Sequence, residues 1–179
     1  MIQFAQIRTP MKENHIIKKY PSRNIQTETY KDGDTFVTKH YYDAKDAYVK
    51  ELIYLTDDIK KVKYTTANGV VSKIEHFKQD KREGIETKYF ISKADGSIKS
   101  TKLYDDGKLH GENITYNENG EIIKHEVFAR GKCVLKYLRD DDKNIIDVQI
   151  ITKESIPNLP KEEYEKLQTI LEKIKKDID

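Results

Sequence analysis

Residues 96–120 read GSIKSTKLYDDGKLHGENITYNENG, and the glycines in this segment mark a unit that begins again at Gly120. Three consecutive copies align on lead glycines at positions 69, 96 and 120. Each copy carries an aromatic residue eight positions after its lead glycine: Phe77, Tyr104 and Phe128. Self-similarity at a fixed period of this length indicates stacked copies of one supersecondary unit.

The copies share further positions that predict hairpins. An apolar residue follows the lead glycine by two positions, and a turn-forming residue followed by lysine comes at eleven: Asp80-Lys81, Gly107-Lys108 and Gly131-Lys132. Two copies add a glycine at fifteen and a tyrosine at twenty: Gly84 and Gly111, then Tyr89 and Tyr116. Glycine, Asn and Asp tolerate the positive φ of tight turns, and β-branched and aromatic residues fill the runs between them. These runs are therefore predicted to be strands.

Weaker copies extend the pattern in both directions. Upstream Asp46 stands in for the lead glycine, and downstream Lys143 does the same. Atypical terminal copies are typical of such arrays, because end units cap the stack. The earlier Lys31-Asp32-Gly33 segment is out of phase with the next copy, so it predicts an isolated hairpin.

This spacing resembles the MORN-like repeats of the bacterial YwqK-type antitoxin family, whose units carry Asn-Gly before a leucine, then a tyrosine, Asn-Gly-Lys, another glycine and an aromatic residue. The resemblance covers about residues 46–151 and is clearest over 69–131. This chain departs from the family where Leu135 replaces the second glycine, where one spacing stretches to 27 residues, and in having no tryptophan. The resemblance implies a mainly β protein with a meandering antiparallel sheet, and a protein-binding role.

The last 20 residues change period from strand to helix. Apolar residues recur at intervals of three and four, which predicts one stripe of an amphipathic helix: Tyr164, Leu167, Ile170, Leu171, Ile174 and Ile178. We expect this helix to pack on a face or end of the sheet, with docking to a partner as the alternative. The predicted organisation is N-terminal strands or a small cap over 1–45, the repeat array over 46–152, and a linker with the C-terminal helix over 153–179, all in one structural domain.

Composition favours a thin sheet in a reducing compartment. Hydrophobic and charged residues each make up 36% of the 179 residues, which is too little apolar content for a thick core. The balance of 33 Lys and Arg against 31 Asp and Glu, with five arginines, argues against a dedicated nucleic-acid binder. One cysteine, Cys133, excludes an internal disulfide and is interpreted as a small strand hydrophobe. Residues 1–24 lack a continuous apolar segment, and no run of 18 apolar residues exists, so we expect a cytoplasmic protein without a membrane partner.

No catalytic constellation emerges from the sequence. The five histidines lack metal-ligand spacing, and the acidic run 140–142 lacks the glycine and glutamate of a calcium loop. Gly-Lys at 107 and 131 lacks the frame of a phosphate-binding loop. We therefore predict no catalytic residue, no metal and no cofactor.

The repeat does predict two cross-strand ladders, because equivalent positions line up across a sheet. The ladder at eight contains Tyr54, Phe77, Tyr104, Phe128 and Ile151, and the ladder at four contains Lys50, Lys73, Ser100, Lys124 and Asp147. Strand alternation places both ladders on one face unless bulges separate them. The predicted binding residues are Tyr54, Phe77, Tyr89, Tyr104, Tyr116, Phe128, Lys50, Lys73 and Lys124. Core packing of the aromatic residues and a solubilising role for the lysines are the alternatives.

Three function classes follow. The leading hypothesis is a non-catalytic binder that neutralises or tethers a protein partner, as the resemblance to antitoxins implies; the partner would be a toxin, a nuclease or another defence effector. The alternative is salt-dependent binding of acidic lipid or single-stranded nucleic acid by the lysines and tyrosines. An enzyme ranks third. Homo-oligomers could form through sheet edges or the C-terminal helix.

Overall fold

The computed structural model describes residues 13–43, 48–54, 58–93, 95–140, 142–150 and 160–178. The strands are β1 (Glu13–Lys19), β2 (Ile25–Asp32), β3 (Thr35–Tyr41), β4 (Tyr48–Tyr54), β5 (Ile59–Thr65), β6 (Val71–Lys78), β7 (Lys81–Arg82), β8 (Gly84–Tyr89), β9 (Ile98–Asp105), β10 (Lys108–Tyr116), β11 (Ile122–Ala129), β12 (Lys132–Arg139) and β13 (Ile145–Ile150). Among the described residues they are followed by the helix α1 (Lys161–Ile178). The protein is mainly β, as predicted.

In the described part of the chain, all thirteen strands belong to one antiparallel sheet. Their order in space follows the sequence, β1 through β6 and then β8 through β13, while the two-residue β7 pairs with β6 beside β8. Apart from the interruption at β7, each strand is therefore hydrogen-bonded to its neighbours in the chain. The meandering sheet and the C-terminal helix agree with the predicted fold class, and β1–β3 are continuous with the repeat array.

Long turns explain the lead residue of each copy. In the turns 66–70 and 117–121, the first residue donates its N–H to the carbonyl of the fifth, and the fourth residue is a glycine with φ of +78° or +82°. The turn 90–97 closes in the same way with three more residues, which accounts for the 27-residue spacing. Lys143, the predicted stand-in, has φ of +69° in the equivalent place.

The N-terminal phase was predicted incorrectly. Arg23, with φ of +73°, holds the lead position in the turn 20–24, and Gly33 belongs to the short turn between the paired residues Asp32 and Thr35. The hairpin predicted at Lys31-Asp32-Gly33 exists but is not isolated, because β2 and β3 are strands of the common sheet. Arginine is not a typical turn residue, so its residue type does not predict the start of a copy there. The other stand-in, Asp46, lies outside the described residues.

Short turns tie each copy to the one before it. The N–H groups of Gln79, Gly107 and Gly131 donate to the carbonyls of Asp58, Arg82 and Leu109 at 2.8, 2.9 and 2.7 Å. A Cβ at position 107 would lie 3.7 Å from Lys81 Cβ, so the next turn packs against the stem of this lysine. The repeated Gly-Lys pair is therefore a stacking contact between copies.

The aromatic residue at eight and the glycine at fifteen are partners across strands. Tyr104 pairs in register with Gly84 of the preceding copy, and Phe128 pairs with Gly111. Both glycines have positive φ, and the strand register shifts beside Gly111. Since a glycine in a strand leaves sheet surface uncovered, a ring directly opposite can cover the exposed backbone. This contact explains why the two positions recur together.

Strand pairing defines two faces of the sheet. Following paired residues from strand to strand places Val127, Leu135 and Tyr137 on one side, which we call the helix face because α1 packs there. Lys73, Lys88 and Lys124 lie on the opposite side, which we call the lysine face. A bulge beside each long turn brings the apolar residue at position two to the helix face, where Ile122 and Ile145 pack against the core.

The buried side of the sheet changes along its length. The helix face is buried in β2–β4 and β11–β12, and the lysine face is buried in β5–β10. The apolar core beneath α1 consists of Val127, Ala129, Val134, Leu135, Tyr137 and Ile174. Leu135, which replaces the second glycine of its copy, is fully buried there. The sequence departure at 135 therefore marks the place where the repeat array becomes a helix-covered core.

Candidate binding faces of the sheet

The predicted lysine ladder is one continuous row on the lysine face. Paired residues connect β3 to β13 in the order His40, Lys50, Tyr64, Lys73, Lys88, Ser100, Thr115, Lys124, Leu138 and Asp147. Lys73 and Lys124 share this row, but four strand spacings of about 4.8 Å separate them by roughly 19 Å. Lys50 and Tyr54 hold their register places in β4, and their side chains lie outside the described residues.

The predicted aromatic residues divide between the two faces. Phe77, Tyr104 and Phe128 lie on the lysine face, with Tyr104 only 9% exposed. Tyr89 and Tyr116 lie on the helix face, where bulges pair them with Ile98 and Ile122. The nine predicted binding residues therefore do not form one site.

The lysine face of β5–β9 contains a cluster centred on a buried carboxylate, which we call the carboxylate cluster: Tyr64, Lys73, Glu75, Arg82, Glu86 and Tyr104. Glu75 is 2% exposed. Its Oε2 lies 3.0 Å from Lys73 Nζ, and its Oε1 lies 3.0 Å from Arg82 Nη2. Two cations on different strands therefore compensate one buried negative charge.

Aromatic rings hold the same cations from the other side. Lys73 Nζ lies 4.2 Å from the centre of the Tyr64 ring, and the Arg82 guanidinium lies 5.2 Å from the centre of the Tyr104 ring. Arg82 Nη1 also donates a hydrogen bond of 3.3 Å to the Tyr104 hydroxyl. Cations placed over ring faces and against a carboxylate lose conformational freedom, so this part of the sheet is preorganised.

The cluster shifts the pKa values of its members. Burial would raise the pKa of Glu75, but hydrogen bonds from Lys73 and Tyr64 outweigh it and hold this pKa below its usual range. Burial, followed by the hydrogen bond to Glu75, raises the pKa of Tyr64 to about 12. At neutral pH the carboxylate is ionised and the phenol is protonated, which is the arrangement that satisfies both groups.

The lysine row is largely neutralised by its own strands. Lys73 pairs with Glu75, and Lys124 pairs with Glu126 two residues along its strand at 2.8 Å. Lys88 Nζ lies 3.8 Å from Glu86 Oε1, with Glu86 5% exposed. Since these contacts compensate the lysine charges, the row is a weaker attractor of anions than its composition indicates.

The helix face carries an apolar surface that the sequence prediction missed. We call it the apolar strip: Ile74, Ile85, Thr87, Thr101, Leu103 and Ile114, on β6 and β8–β10. Ile85 is 51% exposed, and the other members are half-buried. The signal was present in the three full copies, where positions five and seven carry no Asp, Glu, Lys or Arg.

The N-terminal strands have a polar cluster of their own on the helix face. Glu28 accepts a 2.6 Å hydrogen bond from the Tyr41 hydroxyl and lies 2.7 Å from His15 Nε2. Glu51 pairs with Lys39 and Lys63 from the strands on either side. Burial and the hydrogen bond to Glu28 raise the pKa of Tyr41. These contacts compensate the charges of the buried carboxylates, so they stabilise this end of the sheet.

Residues with catalytic chemistry are dispersed over the described strands. His76 Nδ1 lies 2.9 Å from the Ile85 carbonyl, and His125 Nε2 lies 3.1 Å from Glu112 Oε2. Burial raises the pKa of the Cys133 thiol, which donates to the Leu135 carbonyl. Within the described ranges, no three His, Cys, Asp or Glu side chains are grouped to hold a metal ion. In those ranges there is also no helix with the length and apolar character needed to cross a membrane.

Comparison with known proteins adds little to this geometry. No protein-family model and no curated protein matches the chain. Among solved structures, a mutant of S. aureus TarM in complex with fondaparinux, α-GlcNAc-glycerol and UDP and a second TarM structure each match with a TM-score of 0.34 and 10% identity. The matches cover 67% and 68% of this chain and 21% of the TarM chains. A likeness at this level carries no argument.

Proposed function

We propose that this protein is a non-catalytic binding module that neutralises or tethers a protein partner, in the manner of an antitoxin or an inhibitor of a toxin or bacterial defence nuclease. The observation that supports the proposal best is the apolar strip, an exposed apolar surface on a rigid sheet. Exposed apolar patches rimmed by polar residues are typical of protein-binding surfaces. The spacing resemblance to MORN-like antitoxins supports the same class.

The apolar strip is a better candidate contact than the lysine row. The cations of the carboxylate cluster already contact Glu75 and aromatic rings, so a partner would have to compete with these pairs. The side chains of Ile85, Leu103 and Ile114 are apolar, so a partner could cover them without displacing an ion pair of these residues. Burying them against a partner would gain about 25 cal/mol per Å² of apolar area.

The test is an affinity pull-down of the tagged full chain from its native cells, with and without nuclease, read by mass spectrometry. Wild-type protein should retain one dominant protein after nuclease treatment, and Ile85→Lys should lose it. Ile91→Lys is the matched control, because Ile91 is 57% exposed in the turn after β8 and lies outside the apolar strip. Retention of the same partner by Ile85→Lys would rule out the apolar strip as the contact.

The second candidate is salt-dependent binding of acidic lipid or single-stranded nucleic acid by the lysine row. The observation in its favour is the alignment of Lys73, Lys88 and Lys124 along one row of paired residues. Recovery that collapses on nuclease treatment, and falls further in Lys88→Gln, would favour this function. Binding that is unchanged between low and high salt would exclude it, because phosphate contacts release counterions.

A further inference from the structure

The apolar strip continues the surface that α1 already occupies. Ile174 of α1, 3% exposed, packs against the cluster formed by Val127, Ala129 and Leu135. From Tyr137 of the same cluster, the paired residues His125, Ile114, Thr101, Thr87 and Ile74 lead across the strip to β6. The helix-covered core and the exposed strip are therefore parts of one face.

The strip is wide enough to hold one helix. Its four strands, at about 4.8 Å between neighbours, span roughly 15 Å. An α-helix with its side chains is about 10 Å across, and α1 lies over β11 and β12. A second helix beside α1 would therefore lie over β8–β10 without displacing it.

Side chains on this face suit an amphipathic helix. The packed residues of α1 are aliphatic, with Ile170 and Ile174 one turn apart and directed at the sheet. The strip offers the same kind of surface, in which Ile85 pairs in register with Leu103 and Ile114 with Thr101. Amphipathic helices bind apolar surfaces through apolar residues at intervals of three and four.

The charged residues on the two sides of the strip differ in sign, which favours acidic residues on one edge of a bound helix. On the β5 side, Lys61 pairs in register with His76, next to Ile74, and Lys61 is half-buried on the helix face. On the α1 side, the Glu112 carboxylate lies 3.1 Å from His125. A bound helix would therefore place acidic residues along its edge nearest β5.

We propose that the apolar strip is the docking site for an amphipathic α-helix of a partner protein, with its apolar stripe over Ile85, Leu103 and Ile114 and its acidic edge toward Lys61. This inference rests on the proposed protein-binding function and specifies the chemistry of the partner. Because the strip continues the surface that α1 covers, we infer that its occupant is a helix. Because Lys61 borders the strip, we infer that the edge of this helix nearest β5 is acidic.

The experiment uses the full chain and two labelled synthetic helical peptides in fluorescence anisotropy. Both peptides carry the same leucine stripe, and residues flanking the stripe are glutamate in one and lysine in the other. The glutamate peptide should bind more tightly. Ile85→Lys should weaken binding by at least about tenfold, since it replaces a buried isoleucine in the complex. Ile85→Ala should weaken it less, Ile91→Lys should not change it, and Lys61→Gln should reduce the preference for glutamate.

Three outcomes would overturn the inference. The first is failure of the glutamate peptide to bind, and the second is equal binding by wild type and Ile85→Lys. The third is a concentration-dependent dimer in sedimentation that Ile85→Lys abolishes, because the occupant would then be a second copy of this chain. If the peptide fails but the pull-down partner still depends on Ile85, protein binding stands and the helical occupant falls. Far-UV circular dichroism of each variant checks that it remains folded.

Discussion

Gly111 lies at a place in β10 where a side chain would collide with Leu103 of the neighbouring strand. It has φ of +86°, and a Cβ at this position would lie 2.8 Å from Leu103 Cδ2. Leu103 belongs to the apolar strip, so the missing side chain at 111 leaves room for this leucine. One glycine thereby serves both the strand register and the candidate binding surface.

Gly111→Ala should lower the free energy of unfolding by about 1–3 kcal/mol, because it adds left-handed backbone strain to the displacement of Leu103. Gly84→Ala is the matched control, with φ of +79° and open space where its Cβ would be. Chemical denaturation of the two variants separates the cost of backbone strain, which both share, from the cost of displacing Leu103. If Gly84→Ala costs as much as Gly111→Ala, the Leu103 contact contributes nothing.

Tyr64 gives a pH dependence with a defined sign. Its pKa is raised from 10.0 to about 12, so the protonated phenol is favoured in the folded protein. The stabilisation is fully present below pH 10 and is lost as the pH rises through about 12. Tyr64→Phe should therefore flatten the alkaline loss of stability, as measured by denaturation at several pH values.

The control for this titration is Tyr42, whose side chain is 45% exposed. Tyr42→Phe removes a phenol outside the carboxylate cluster and is the reference with which Tyr64→Phe is compared. Absorbance of the tyrosinate form gives an independent readout, because Tyr64→Phe should remove a late component of the titration. An unchanged late component would contradict the role assigned to the Glu75 hydrogen bond.

At the scale of the element, α1 depends on a few apolar contacts. Ile174→Ala should lower the free energy of unfolding by about 2–4 kcal/mol, because it opens a cavity against Val127, Ala129 and Leu135. Ile146→Ala, at a β13 site that is 63% exposed, should change stability by less than about 0.5 kcal/mol. Thermal unfolding of both variants provides the measurement. Equal effects would mean that α1 is not packed on the sheet as described.

The elements were more predictable than their faces. Glycine spacing predicted the turns at 69, 96, 107 and 120, and the three-four period predicted α1, because turn chemistry and periodicity are local properties. The bulges beside the long turns were not predictable from composition. They pair Tyr89 with Ile98 and Tyr116 with Ile122 on the face opposite Tyr104, so the predicted set of binding residues divides between two faces. The copy led by Arg23 was missed because its positive φ is imposed by the turn and not encoded by the residue type.

At the scale of the whole molecule, the burial of apolar side chains is uneven along the sheet. Hydrogen exchange should be slowest in β11 and β12, where Val127, Ala129 and Leu135 are fully buried. It should be fastest in β1, where Ile16 and Ile17 are 59% and 44% exposed. Repeat arrays lose their ends first when neighbouring units supply most of the stabilisation. Uniform protection across the strands, measured by mass spectrometry, would contradict this gradient.

The candidate site depends on long-range placement, which is why the sequence predicted it only in part. The lysine row was predicted because each copy repeats it, and the strand pairing confirms that Lys73 and Lys124 share a row. Glu75 and Arg82 were not singled out, because their meeting depends on the break between β7 and β8. The choice of the helix face for α1 likewise follows from Leu135 and Val127, whose burial appears only when the strands are paired.

The hydrogen bonds from Gly107 to Arg82 and from Gly131 to Leu109 have a consequence for how such a chain can change over evolution. The glycine N–H of each of these short turns donates to a backbone carbonyl of the preceding copy. A duplicated copy would therefore offer the same carbonyl to the copy that follows it. Duplication of one whole copy in the gene would therefore extend the sheet by two strands and preserve the seating of α1 at its end. Insertion of a few residues within a strand would instead put the next short turn out of step with its acceptor.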